Sequence, residues 1–180
     1  MKQMEVALDP MAGTARRLVG TLAIDPGPVE SGWCVMLRDD VIHSGVMPNA
    51  ELLEYVQRTH FRVNATRLAI EMIASYGMPV GKEVFETCLW IGRFVQAWHD
   101  PEAVHLVYRK DVKMHLCGTT KAKDANVRRA IIDLYQPTGG GATPQIGTKA
   151  KPGPLYGVSS HAWPAIGVAL TLQANEGARA

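Results

Sequence analysis

Residues 19–37 read VGTLAIDPGPVESGWCVML, and this stretch decides the fold. The run VGTLAID over 19–25 is short, apolar and closed by Asp25-Pro26-Gly27. Pro-Gly marks a turn, so 19–25 is expected as a buried strand that ends on a carboxylate. Residues 32–37, GWCVML, read as a second strand; Asp39-Asp40 makes a turn, and 41–46, VIHSGV, reads as a third. Three strands on short links predict an antiparallel meander.

Working outward, Asn49 is expected to cap a helix over 50–60, because its side chain can accept the free amide hydrogens of a helix start. Residues 67–71, RLAIE, form a fourth strand, again ending in a carboxylate, Glu71; residues 72–80, MIASYGMPV, read as a loop. Over 82–99, Val84, Phe85, Cys88, Leu89, Ile91, Val95 and Trp98 recur at helical spacing, which predicts a long amphipathic helix. Residues 104–108, VHLVY, make a fifth strand. A short helix over 111–116 stops at Gly118, and a second covers about 122–135. Residues 137–157 hold six of the 17 glycines and four of the 11 prolines, and so read as a flexible loop. Ser159 or Ser160 caps a last helix over 161–174. The expected architecture is a mixed α/β domain, a five-stranded sheet flanked by helices.

Composition agrees. The chain has 180 residues and is 47% hydrophobic, enough for the core of one domain and too little for two. Basic residues number 19 against 17 acidic, which excludes a polycation or a charge-rich disordered chain. The apolar runs break well short of the roughly 18 residues a spanning helix needs, so no membrane helix is expected. Residues 1–18 show no periodicity and no long apolar stretch; they read as a flexible arm rather than a secretory signal. The three cysteines, Cys34, Cys88 and Cys117, are widely spaced with no Cys-x-x-Cys, against a disulfide framework or zinc cage and in keeping with the reducing cytoplasm.

Charge is unevenly spread. Between Arg109 and Arg129 lie seven basic residues, Arg109, Lys110, Lys113, Lys121, Lys123, Arg128 and Arg129, against two acids, Asp111 and Asp124; Lys149 and Lys151 follow in the Gly/Pro-rich segment. Such a cluster is the footprint of a phosphate-rich partner or, equally, a solvated helix face.

Asp25 and Glu71 each end a strand. Carboxylates at neighbouring strand ends can converge, and Mg²⁺ takes one or two protein carboxylates together with substrate phosphate. Singly, Asp25 reads as a turn residue and Glu71 as a solvated strand end; together they suggest a metal site. Asp124 in the first turn of its helix suits the helix dipole, and His161 opens the last helix.

These features resemble the RuvC-type Holliday-junction resolvases, most closely the forms of phages and prophages. The resemblance rests on Asp25-Pro26-Gly27 with Ser31-Gly32-Trp33, then Leu68-Ala69-Ile70-Glu71, then Tyr108 to Lys113, Gly118 to Val127, and His161 with Ala165 to Leu170, in that order. It covers about 19–172 and delimits a nuclease domain over 19–175. It implies a ribonuclease H-like fold, a homodimer, and two Mg²⁺ or Mn²⁺ ions nicking four-way DNA junctions in pairs to leave 5′-phosphate ends. By resemblance, Asp25, Glu71 and His161 are metal ligands. The family's final Asp falls at Pro164, which cannot bind metal, and Asp124 is expected to replace it, with Lys123, or else Lys121, facing the scissile phosphate. DNA contacts are expected from Arg109, Lys110, Lys113, Lys121, Lys123, Arg128, Lys149 and Lys151, and from Tyr76, whose ring either stacks on an unpaired base or packs on its own helix. The competing readings are a related nuclease acting on RNA or on branched DNA generally, a junction-binding module that has lost its site at Pro164, and a nucleotide-binding relative of actin, for which the chain is one lobe short.

Overall fold

The computed structural model describes residues 20–62, 65–75, 77 and 79–177. The expected arm over 1–18 and Tyr76 both lie outside the described residues. Five strands form one sheet in the order β3-β2-β1-β4-β5. They are β1 (Gly20–Asp25), β2 (Glu30–Leu37), β3 (Asp40–Pro48), β4 (Ala65–Met72) and β5 (Val104–Tyr108). The meander β1-β2-β3 is antiparallel, as expected, while β4 and β5 join parallel to β1. The five-stranded mixed sheet is therefore the one read from the sequence.

Helices cover both faces: α1 (Asn49–Arg62) and α2 (Lys82–Ala97) on one, α3 (Arg109–Cys117), α4 (Asp124–Leu134) and α5 (Ala162–Gly177) on the other. A one-turn 3-10 segment, Pro101–Ala103, precedes β5.

Side chains alternate across a strand, so each strand serves two cores. Leu22 and Ile24 of β1, with Leu68 and Ile70 of β4, pack against Leu52, Val56, Ile91, Phe94 and Trp98 of α1 and α2. Ala23, Cys34, Ala69 and Val107 face the other way, toward Val112, Val127, Ile131 and the α5 residues Trp163, Ala165, Ile166 and Ala169. The same alternation carries Asp25 and Glu71 to the α5 side, because they lie two residues beyond Ala23 and Ala69. Trp98 and Phe94 are thus core, while Trp90 is only partly buried, stacked on Phe94 at 5.9 Å with Arg93 over its ring.

Two expectations need correction. Asn49 is buried and its side chain does not cap α1. Its Oδ1 accepts from Ser31 Oγ at 2.6 Å, and its Nδ2 donates to the Gly27 carbonyl at 2.9 Å. Asn49 therefore ties down the turn that follows Asp25.

The segment over 137–157 is not a loose loop. The N–H of Gly139 donates to the Pro144 carbonyl, that of Gly140 to Lys151, that of Gly153 to Ile146 and that of Leu155 to Gln145, all at 2.8–3.0 Å. Leu155 is fully buried in the α5-side core. Gly147, at φ 79°, sits where a side chain would strike the Gly153 and Lys151 backbone. The glycines here permit close backbone crossings rather than looseness. No helix among the described residues is long and apolar enough to cross a membrane.

Candidate active site

The three parallel strands end level with one another. Ile24 pairs with Ile70, Glu71 with Val107 and Met72 with Tyr108, so Asp25, Glu71 and Arg109, the residue after β5, are brought to one edge of the sheet. Asp25 pairs with Gly32 on its other side. The first turns of α4 and α5 come down on the same edge, bringing Asp124 and His161.

The two strand-end carboxylates are largely withdrawn from water, the Asp25 side chain 18% exposed and that of Glu71 13%. Burial pushes the Asp25 carboxyl up from its ordinary 3.8 to about 6, against the pull of Arg109, with Asp124 adding to the rise. Burial likewise raises Glu71 to about 7; Arg109 opposes that rise, and the neighbouring Asp25 and Asp124 add to it. Desolvated carboxylates with incomplete compensation are stabilised by any cation that reaches them.

Around this pair the surroundings divide. His161 Nδ1 stands 3.7 Å from Asp25 Oδ2, close but wider than a hydrogen bond, and the imidazole is open to solvent. Arg109 reaches across the other half: Nη1 donates to Glu71 Oε2 at 3.0 Å and Nη2 to Asp124 Oδ1 at 2.5 Å. Burial works against the Arg109 charge, but the two carboxylates outweigh it and hold its pKa above the ordinary value.

His161 is held by a close approach. A Cβ at Gly32 would run into the His161 carbonyl and lie 2.8 Å from its Cβ. Only glycine lets β2 pass beneath the start of α5 at this point. Ser160, just before His161, adopts φ 41°, an uncommon conformation for a side-chain-bearing residue. Helix α5 begins as the Ser159 carbonyl accepts the Ala162 N–H at 2.9 Å, so backbone rather than a serine side chain makes that bond.

Beside His161, a cleft of about 640 Å³ is lined by Arg109, Asp124, Arg128, Trp163 and Pro164. The Arg128 guanidinium lies 5.0 Å over the Trp163 ring. A second hollow lies over the Asp25-Pro26-Gly27 turn, and His161 borders both.

Asp25, Glu71, Asp124, His161 and Arg109 are thus brought together. Lys123 is exposed at the start of α4, beside Asp124, and Lys121 is exposed in the preceding turn. Lys110 lies over the Tyr108 ring at 5.7 Å, Lys113 is half-buried on α3, and Lys149 and Lys151 are exposed on the 137–157 segment, outside the cleft. Asp124 was expected to offer a metal-binding oxygen; its Oδ1 is engaged by Arg109. Sequence reasoning placed Arg109 among the DNA contacts and missed its place between the acids. It gave Asn49 and Gly32 no part in the site; the Gly32-Trp33 dipeptide beside Asp25 in the register was the only signal for the latter.

Among the described residues no three His, Cys, Asp or Glu side chains form a ready metal cage. The donor set still suits Mg²⁺ or Mn²⁺, since such ions keep several waters and need one or two carboxylates plus substrate phosphate. Asp25 with His161, and Glu71 beside them, supply that minimum.

No protein-family model matches the chain, and no curated protein does. Solved structures do. RuvC of Thermus thermophilus in complex with its Holliday junction substrate superposes with a TM-score of 0.64 at 18% identity, over 88% of this chain and 96% of that one. A second Thermus thermophilus RuvC structure gives 0.61 at 19% identity, over 88% and 97%. The superposition spans RuvC nearly end to end: the chain has the RuvC-like ribonuclease H-like fold.

Proposed function

We propose that the protein is a metal-dependent endonuclease that resolves four-way DNA junctions. The observation that carries this reading is the pair of desolvated carboxylates, Asp25 and Glu71, side by side at the end of parallel strands and bordered by a cleft that Arg109 and Arg128 line. The RuvC-like fold supports it, since the solved RuvC complex contains a Holliday junction.

Asp25 and His161, with Glu71 adjacent, would hold Mg²⁺ or Mn²⁺. The chemistry such an ion supplies is activation of a water and stabilisation of charge on the departing oxygen. The residues of this chain do the rest. Gly32 and the Ser31–Asn49 pair fix His161 and the Asp25 turn, so the donors are placed before substrate arrives. Arg109 and Arg128 line the cleft where a phosphate would lie, and Lys121 and Lys123 extend the positive edge. Lys110, Lys113, Lys149 and Lys151 lie outside the cleft and would contact more distant phosphates. Attack of water on phosphorus breaks the P–O3′ bond, leaving a 5′-phosphate and a 3′-hydroxyl.

Paired nicks need two sites. Phe85 and Leu89, 64% and 56% exposed one helical turn apart on α2, give an apolar face for a second copy of the chain. A homodimer through α2 would put two catalytic edges on one junction.

The test is cleavage of a labelled four-way junction beside linear duplex, a flap and an RNA substrate, with Mg²⁺ or Mn²⁺. Paired nicks confined to the junction establish the reading. Equal cleavage of every substrate, or of RNA in preference, keeps the metal site and discards junction selectivity. Tight junction binding with no cleavage under either ion makes the protein a binding module. Junction affinity should also fall steeply with salt, as it does when several phosphates are neutralised.

A further inference from the structure

Arg109 is the only cationic side chain that bridges two of the acids at the sheet edge, among the described residues. It is presented by geometry that leaves it little choice. As the first residue of α3, directly after Tyr108, which pairs with Met72, it leaves the sheet just past the end of β4, and its guanidinium spans from the β4 carboxylate to the α4 carboxylate. Its side chain is only 25% exposed. The planar fork donates one N–H to each acid, an arrangement a lysine ammonium on a flexible stem does not reproduce. The Asp25–His161 half has no such bonded partner: an imidazole stands 3.7 Å from Asp25, and Arg109 acts on it only through space. Pro164, in the first turn of α5 and lining the same cleft as Asp124, has no oxygen or nitrogen to offer from its side chain.

We infer that Arg109 is a built-in counter-cation for Glu71 and Asp124, and that the site consequently takes one divalent ion, at Asp25 and His161, rather than two. The inference rests on the nuclease reading above and specifies how its site is charged. A guanidinium held between Glu71 and Asp124 occupies the carboxylate oxygens that a second ion would need and offsets one of their two charges. Arg109 also lines the cleft where the phosphate diester would lie, so a side chain places hydrogen-bond donors at that edge. Asp124 in this arrangement is a positioning residue: it holds one arm of the guanidinium, and through it the orientation toward Glu71.

Counting bound Mn²⁺ by the loss of the free-ion electron paramagnetic resonance signal tests this without substrate or turnover. The wild-type protein is expected to bind one Mn²⁺ per chain, Asp25→Asn none, and Asp124→Asn still one. Arg109→Gln, which removes the charge while keeping polar bulk, is expected to bind two, and Arg109→Lys to remain at one. If Arg109→Gln does not fold, the wild-type count decides by itself, one ion supporting the inference. Two ions in the wild-type protein overturn the inference, and so does a single ion in folded Arg109→Gln. No ion in the wild-type protein, or equal binding in Asp25→Asn, points instead to failure of the nuclease reading itself.

Discussion

Asp25 and Glu71 stand on adjacent strands, face the same side of the sheet and are buried to similar depth, yet they keep different company. Glu71 is tied to an arginine that is tied in turn to Asp124; Asp25 has an exposed imidazole near it and a turn held by Ser31 and Asn49 behind it. One half of the site carries a cation bonded to both of its acids, and the other has none bonded to it. Strand alternation alone puts two acids at a sheet edge; what distinguishes them is the residue that happens to follow β5 and the glycine that happens to pair with Asp25.

The comparison is broken most severely at Asp25. Asp25→Asn should lower junction cleavage by about a thousandfold or more, because no other buried carboxylate without a guanidinium partner remains. The same change should raise thermal stability at pH 8 in the absence of divalent ions, since it removes a buried charge. Loss of activity together with loss of stability would show that Asp25 is structural.

Gly32→Ala comes next. The added Cβ must displace the His161 backbone, and a shift of about 1 Å in a positioning group can cost on the order of a hundredfold in rate. Retention of full activity and of Mn²⁺ affinity would separate His161 from the metal half of the site.

The pH dependence is milder. Asp25 and Glu71 both titrate higher in the folded chain than their ordinary 3.8 and 4.5, at about 6 and about 7. A raised carboxylate pKa means the folded state holds protons that the unfolded state has released. Stability should therefore fall as pH rises from about 4 to about 7, by up to about 6 kcal/mol for the two groups together, and level off above that. Calorimetry without divalent ions checks the slope. Mg²⁺ should restore more of the melting temperature at pH 8 than at pH 5; an equal effect at both would mean the ion binds elsewhere.

Asn49→Ala should have the smallest effect on the chemistry, costing about 1–2 kcal/mol because it leaves the Ser31 O–H and the Gly27 carbonyl without their acceptor and donor, while Ser31 Oγ still accepts from the Gly27 N–H. Urea denaturation measures this. A cleavage rate unchanged at full folding would show that the turn after Asp25 keeps its shape without Asn49.

Much of the fold could be read from the chain because it is written in local periodicity. The apolar strand runs, the helical spacing over 82–99, and Gly118 at the end of α3 all appear where alternation, amphipathicity and turn chemistry put them. Helix ends moved by a few residues. Asp25, Glu71 and His161 were legible as candidates because a carboxylate at a strand end, or a histidine at a helix start, is a local feature. The Arg109 bridge was not, since it depends on α3 and α4 meeting at the end of β4. Asn49 looked like a helix cap because its local context is one; its partners come from the turn after β1. The 137–157 segment looked loose because glycine and proline are read as freedom, whereas here Gly147 permits a backbone crossing that only the folded loop contains.

The division between the two acids is tested most directly by diffraction from crystals soaked in Mn²⁺, using the ion's anomalous signal. The account predicts one peak, between Asp25 and His161, with Arg109 still bonded to Glu71 and Asp124. Two peaks, with the Arg109 guanidinium displaced and both Glu71 and Asp124 ligating, would contradict it.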